Sequence, residues 1–381
     1  MAEGLSRAEE LYRDRGLRTR ELKAGGARII GYLCCYTPVE MITAAGFVPY
    51  RITGDVREPV TKADSYIEGI ACPFVRSCFD IGLKDGYDFL DGFIAPHSCD
   101  NIVKLYDVWK YNLKPPYARF INLPHTLSAP SFEFFRGELG DFKRDLEKLA
   151  GHEVGDEALN RAIGLHNEQR ALVRELYDLC RGDPPLVSGP EKVKVTAAIA
   201  RIPVEEGNDL LRAVIEEVKG RSDGPQGRQA RLLIYGSGND DVAFVEMVEG
   251  SGANVVVDDL CFGTRPHWHD IDISNDPVAA IADRYLGDIN CPRTYREYPG
   301  TYREDVEGRF SYLGDFAREY GVDGVISYVL RYCDTHAFDA IDVRDYFQAK
   351  DIPVLDIEDE YSISSIERLK TRVQAFLEMI G

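Results

Sequence analysis

Nine cysteines carry most of the chemical capacity of this sequence. Most of them stand where an apolar run ends, with Pro or Asp close by: Cys34-Cys35-Tyr36-Thr37-Pro38, Cys72-Pro73 with Cys78 downstream, Ser98-Cys99-Asp100, Leu260-Cys261-Phe262-Gly263, Asn290-Cys291-Pro292 and Tyr332-Cys333-Asp334. Scattered loop cysteines in a large intracellular enzyme are more often metal or cluster ligands than disulfides. There is no Cys-x2-Cys pair, which argues against a zinc ribbon. The separation of Cys72 from Cys78 matches no standard zinc or ferredoxin spacing. Soft thiolates suit iron–sulfur sites, so a cluster assembled from distant loops is the metal site these residues favour. Cys99 and Cys333, each followed by Asp at a strand end, are the clearest ligand candidates. Cys180 ends the Leu-rich stretch from Leu172 and reads as a small buried hydrophobe.

Other polar groups compete for chemical roles. His97 and His336 flank cysteine loops and are the candidate proton donors, with His125 a third. His267 and His269 would point to opposite faces of an extended segment, so a surface or core-edge loop is expected there rather than zinc. Gly236-Ser237-Gly238-Asn239 lacks the third glycine of a dinucleotide fingerprint and is read as a tight strand-to-helix turn. The carboxylates of Asp356-Ile357-Glu358-Asp359-Glu360 are expected in a solvated loop just after a strand.

These residues must be positioned by the rest of the 381-residue chain. Its formal charge of -19 argues against nucleic acid and anionic membranes as partners. No stretch approaches the ~20 apolar residues of a membrane span. No apolar leader follows the first residues, so the cytoplasm, where thiols stay reduced, is the expected compartment. A charged helix is expected over residues 5–24. Short apolar runs at 27–33, 47–52, 91–96 and 117–122 read as strands separated by helices, and the same alternation returns at 231–238, 254–259, 323–330 and 352–357. Strands alternating with helices imply parallel sheets. Between the two sets, residues 131–222 show only helical spacing of Leu and Ala. The expected fold is therefore α/β: two Rossmann-like, doubly wound lobes with a helical insert. Its segments are an N-terminal helix (1–25), a first lobe (26–130), the helical segment (131–225) and a second lobe (226–381). Asp91-Gly92-Phe93-Ile94 before Cys99-Asp100 is echoed by Asp323-Gly324-Val325-Ile326 before Cys333-Asp334, which suggests a duplication. Ligands in open α/β sheets lie beyond the carboxyl ends of the strands. Two such halves facing each other would bring Cys99 and Cys333 to one cleft.

The ordered motifs resemble those of the 2-hydroxyacyl-CoA dehydratase and benzoyl-CoA reductase superfamily over nearly the whole chain. They are Gly31 to Glu40 with Ala44 to Pro49, Cys72 with Cys78, Cys99-Asp100-Asn101 with Trp109, Asp258 to Arg265, and Tyr332-Cys333-Asp334. The resemblance implies an iron–sulfur cluster in the cleft between lobes. It also implies an ATP-hydrolysing activator, with its own 4Fe-4S cluster, that supplies low-potential electrons, and a homodimer or a heterodimer with a related subunit. By that likeness Cys72, Cys99 and Cys333 match the three ligands of a 4Fe-4S cluster. Cys34, Cys261 and Cys291 also fall at motif positions, and the set of six looks like the double-cubane branch, whose 8Fe-9S cluster serves the reduction of small molecules. Cys35 is an alternative to Cys34, and Cys78 to Cys72. A CoA ester would need basic residues, for which Arg51, Arg76, Lys104, Arg265 and Arg293 are available; Arg265 and Arg293 would otherwise offset cluster charge. Hydrogen-bond donors near the sulfurs tune a cluster's potential. Few backbone N–H groups are therefore expected to face the cysteines at the helix starts near Pro38 and Asp100.

Overall fold

The computed structural model describes residues 4–238 and 240–381. Residues 1–3 of the expected first helix and Asn239 of the Gly236 turn lie outside that set. Two helices, α1 (Gly4–Arg13) and α2 (Leu17–Ala24), replace the single one expected over residues 5–24. Gly16 separates them, its N–H bound to Asp14 Oδ1 at 3.2 Å, at a residue that weakens helix propagation.

The first α/β unit runs β1 (Ile29–Tyr32), α3 (Val39–Ala44), β2 (Val48–Arg51), α4 (Pro73–Leu83), β3 (Gly92–Pro96), α5 (Asp100–Leu113) and β4 (Ala118–Ile121). Four helices follow: α6 (Ala129–Ala150), α7 (Asp156–Asp178), α8 (Gly189–Ile199) and α9 (Val204–Gly220). The second unit runs β5 (Ala230–Gly236), α10 (Val242–Gly250), β6 (Ala253–Asp259), α11 (Pro277–Asp283), α12 (Tyr302–Glu319), β7 (Gly324–Leu330), α13 (Asp334–Gln348), β8 (Val354–Asp359) and α14 (Ile366–Ile380).

Both sheets are four-stranded and parallel, in the orders β2-β1-β3-β4 and β6-β5-β7-β8. The same order twice is the architecture that the repeated sequence pattern implies. One device recurs at the amino ends. Asp91 exchanges hydrogen bonds with Ile29, its carboxylate accepting from the Ile29 N–H at 2.7 Å, and Asp323 accepts from the Arg231 N–H at 2.8 Å in the same way. The buried strands of both sheets are mainly apolar on each face, with Asp258 and Asp259 buried at the carboxyl end of β6, as expected of parallel strands covered on both sides. One core cluster takes in residues of both sheets, among them Ile29, Phe93, Ile234 and Ile326.

The helical insert packs across the two halves: α7 against α3 and α9, and α8 against α1 and α10. Lys192 on α8 is buried. Its ammonium lies over the Tyr177 ring and donates to the carbonyls of Val255 and Val256 at 3.0 and 2.8 Å. The carboxylate run near the C-terminus departs from expectation. Asp356 to Asp359 belong to β8 rather than to a loop after it; Asp356 pairs with Arg344, while Asp359 is buried and accepts from Tyr328 and Ser365. Pairing with β7 extends the strand past Ile357, where the apolar pattern stops.

A buried polar knot joins α3 to α7. Glu40 is fully buried and pairs with Arg170, while its other oxygen accepts from Tyr285 at 2.9 Å. Burial pushes the Glu40 carboxyl up, but Arg170, His166 and Arg284 outweigh it and hold the group at about 2. His166 is pushed down to about 4 by burial, against an upward pull from Glu40 that exceeds the push of Arg170, and His267 is pushed down to about 3 by burial and then by neighbouring positive charge. Both imidazoles are thus neutral when folded, below the ordinary value of 6.5. Their contribution to stability is full above that value and is lost as the pH falls through it. Urea unfolding is expected to give a stability that declines from about pH 6.5 towards pH 4, with a shallower decline in His267→Gln. Arg170→Met strands a buried carboxylate and is expected to cost about 3–5 kcal/mol at pH 7.

Candidate metal centre

Parallel strands that end in a short turn to a helix deliver their last residues to one edge of a sheet. Cys72 is the N-cap of α4, Cys99 the N-cap of α5 after β3, and Cys333 the N-cap of α13 after β7. Cys34 follows β1 and Cys261 follows β6, while Cys291 lies beyond α11. Two of these turns use left-handed backbone at residues other than glycine, with φ of 62° at Cys34 and 63° at Tyr332, a conformation that is uncommon for such residues.

Cys34, Cys72, Cys99, Cys261, Cys291 and Cys333 all line one cleft of about 660 Å³, with contributions from both halves of the chain. The remaining three cysteines stand elsewhere. Cys35 lines a neighbouring cavity, Cys78 is buried within α4 in the core, and Cys180 is buried and donates to the Val187 carbonyl at 3.3 Å. All nine are free thiols. Among the described residues no three His, Cys, Asp or Glu side chains gather as a single metal ion would require. Thiols spaced around a cleft of this size suit a polynuclear group instead, and their soft sulfur fits iron–sulfur chemistry.

Phe74, Ile102, Phe262 and Leu330 make much of the remaining wall apolar, and Arg51 and Arg293 bring positive charge to it. Arg265 lies behind them. It is buried, paired with Asp259 at 2.8 Å, and donates to Cys261 Sγ and to His336 Nε2, each at 3.3 Å. Of the other basic candidates, Arg76 pairs with Asp64 and Lys104 is exposed on α5, and neither lines the cleft.

The thiols divide electrostatically. Burial raises Cys72 and Cys333, and pushes Cys99 and Cys291 up to about 12. Cys34 and Cys261 go the other way, chiefly because the neighbouring Cys35 thiol favours their ionised form. Among the described residues no sulfur at a helix start closes a capping hydrogen bond. Nearby N–H groups, such as those of Phe74 and Val75 at Cys72 and of Asn101 and Ile102 at Cys99, offset only part of the upward push of burial.

His336 lines the cleft and is buried, and burial lowers its pKa. His97 does not line it. Its carbonyl accepts from Arg293 at 3.1 and 2.8 Å, and its ring packs on His125, 5.1 Å between centroids. His267 is half-buried beside three arginines in a loop at the edge of the core, and His269 is exposed. Asn101 holds a role that the sequence motif did not reveal. Its carbonyl oxygen accepts from the Cys72 N–H at 3.0 Å and its amide donates to the Tyr332 carbonyl at 3.3 Å. It therefore joins the cysteine turns of the two halves, and its position next to Cys99-Asp100 was the signal available.

A family model described as "2-hydroxyglutaryl-CoA dehydratase, D-component" matches residues 34–380. The chain belongs to that family. Among its relatives, the putative dehydratase subunit YjiM of Escherichia coli (strain K12) is 28% identical over 96% of this chain and 94% of its own. A benzoyl-CoA reductase subunit of Thauera aromatica is 26% identical over 100% of this chain and 98% of its own. The (R)-phenyllactyl-CoA dehydratase beta subunit of Clostridium sporogenes is 23% identical, with 95% and 94% covered. No helix among the described residues is long and apolar enough to cross a membrane.

The opposed thiol shifts have a direct readout. In metal-free protein at neutral pH, iodoacetamide is expected to label Cys34 well before Cys99, scored by peptide mass spectrometry. Cys35→Ala, which removes the thiol that lowers Cys34, is expected to slow that labelling.

Proposed function

We propose that the cleft holds a double-cubane 8Fe-9S cluster on Cys34, Cys72, Cys99, Cys261, Cys291 and Cys333. The protein then acts in the cytoplasm as an iron–sulfur reductase of a small-molecule substrate, supplied with electrons by an ATP-hydrolysing partner that has its own 4Fe-4S cluster. The observation that carries this reading is the presence of six thiols around one cleft. When bound, such a cluster supplies single electrons at low potential.

The chain's own residues have distinct tasks in this reading. Phe74, Ile102, Phe262 and Leu330 keep water away from the thiols. Arg51, Arg293 and Arg265 offset the negative charge of ionised sulfur in a site where burial makes charge costly. His336 holds a proton. Its Nε2 accepts from Arg265, which leaves the proton on Nδ1, an atom without a hydrogen-bond partner. That placement favours His336 over His97 as the donor. The relatives' names, several of them subunits, support assembly as a homodimer or with a related subunit.

A second reading rests on the family itself. The chain is then a 4Fe-4S subunit of a 2-hydroxyacyl-CoA dehydratase or benzoyl-CoA reductase, with Cys72, Cys99 and Cys333 as ligands and an acyl-CoA as substrate. Iron and sulfide analysis of anaerobically purified protein separates the two, with about eight irons per chain for the first and about four for the second. Cys261→Ser and Cys291→Ser are each expected to lower the iron content and change the visible spectrum. Full iron and an unchanged spectrum in both variants would falsify the double-cubane reading. His336→Gln is expected to keep its iron and lose most turnover, with the remaining rate shifted in its pH profile.

A further inference from the structure

Behind the cysteine cleft lies a second cavity of about 740 Å³, which shares Arg51, Cys261 and Phe262 with it. Three buried guanidiniums, Arg51, Arg170 and Arg284, line this cavity, and no carboxylate among the described residues does. Glu40 stands behind the wall and is already engaged by Arg170 and Tyr285. Arg284 donates only to the carbonyls of His269 and Pro266, at 3.2 and 2.6 Å. An excess of buried positive charge is costly unless something neutralises it, and it is out of character in a chain of net charge -19.

Two polar atoms of the lining lack hydrogen-bond partners altogether: Arg51 Nε and Gln169 Nε2. Their residues are 5% and 7% exposed, and such orphans call for an explanation. His166 and His267 also line the cavity, and both are neutral at pH 7, so they add hydrogen-bonding capacity without charge. The rest of the wall is apolar, notably Ile199, Ile202, Val204 and Phe262.

We infer that this cavity is a binding site for a small monocarboxylate with a short hydrocarbon body. A planar two-oxygen anion matches the guanidinium fork, and Arg51, Arg284 and Gln169 supply the donors. The aliphatic residues from the end of α8 to the start of α9, with Phe262, take the hydrocarbon. A phosphate would meet the charge but leave the apolar wall unused. Arg51, Cys261 and Phe262 are shared with the neighbouring cleft, whereas Arg170, Arg284 and Gln169 belong to this cavity alone, and the variants that test the site are drawn from these.

The test is calorimetric titration of the anaerobically purified holoprotein with butyrate, and separately with inorganic phosphate and with chloride. Binding of one butyrate per chain is expected, at least about tenfold tighter than phosphate or chloride. Arg284→Gln and Gln169→Leu are each expected to weaken it by about tenfold or more, at unchanged iron content. Absence of saturable butyrate binding would overturn the assignment. So would phosphate or chloride binding as tightly as butyrate, or full affinity in Gln169→Leu. Gln169→Leu replaces a neutral side chain with one of similar size, so it and the wild-type comparison of anions decide the matter even if Arg284→Gln does not fold.

Discussion

A guanidinium buried at the ends of parallel strands has to be neutralised where it stands, because water cannot reach it. Arg265 meets that condition through Asp259, the last residue of β6, and its two terminal nitrogens also donate to the Gly236 carbonyl at the end of β5, to Cys261 and to His336. One side chain thereby holds together two strand ends, a cysteine turn and the first turn of α13. The geometry of the second half of the cleft follows from it. On the other half, Arg293 does comparable work with the carbonyls of His97, Leu123 and Pro124.

The duplicated topology gives this arrangement its economy. Each sheet has the order 2-1-3-4 within its own four strands, so β1 and β3 in one half, and β5 and β7 in the other, lie at the centre. Central strands are the most deeply covered, and the turns that follow β1, β3 and β7 lead to cysteines of the cleft. Asn101 then bridges the turns across the two halves. The helical insert completes the body by packing on α1, α3 and α10. It also walls the second cavity, through α7 and α8 and the residues that open α9.

Much of this was legible in the residues. The short apolar runs mark all eight strands to within a few residues, because a strand buried on both faces is apolar without interruption. The repeated Asp-Gly before an apolar run marks the two halves, since the carboxylate closes a local hydrogen bond at the strand's amino end. Less legible were features that depend on partners far away in the chain. The break at Gly16 and the length of β8 both follow from packing that periodicity cannot report.

The sequence by itself determined the family, the α/β alternation and the placing of cysteines at strand ends, because each is written in local pattern and motif order. Only the tertiary structure decided which of two adjacent cysteines faces the cleft. Cys34, in left-handed backbone, lines it, while Cys35 lines the neighbouring cavity. It likewise set His336 at the cleft wall and left His97 to act through its carbonyl. Such choices turn on backbone angle and on contacts between residues hundreds of positions apart, which one-dimensional spacing does not encode.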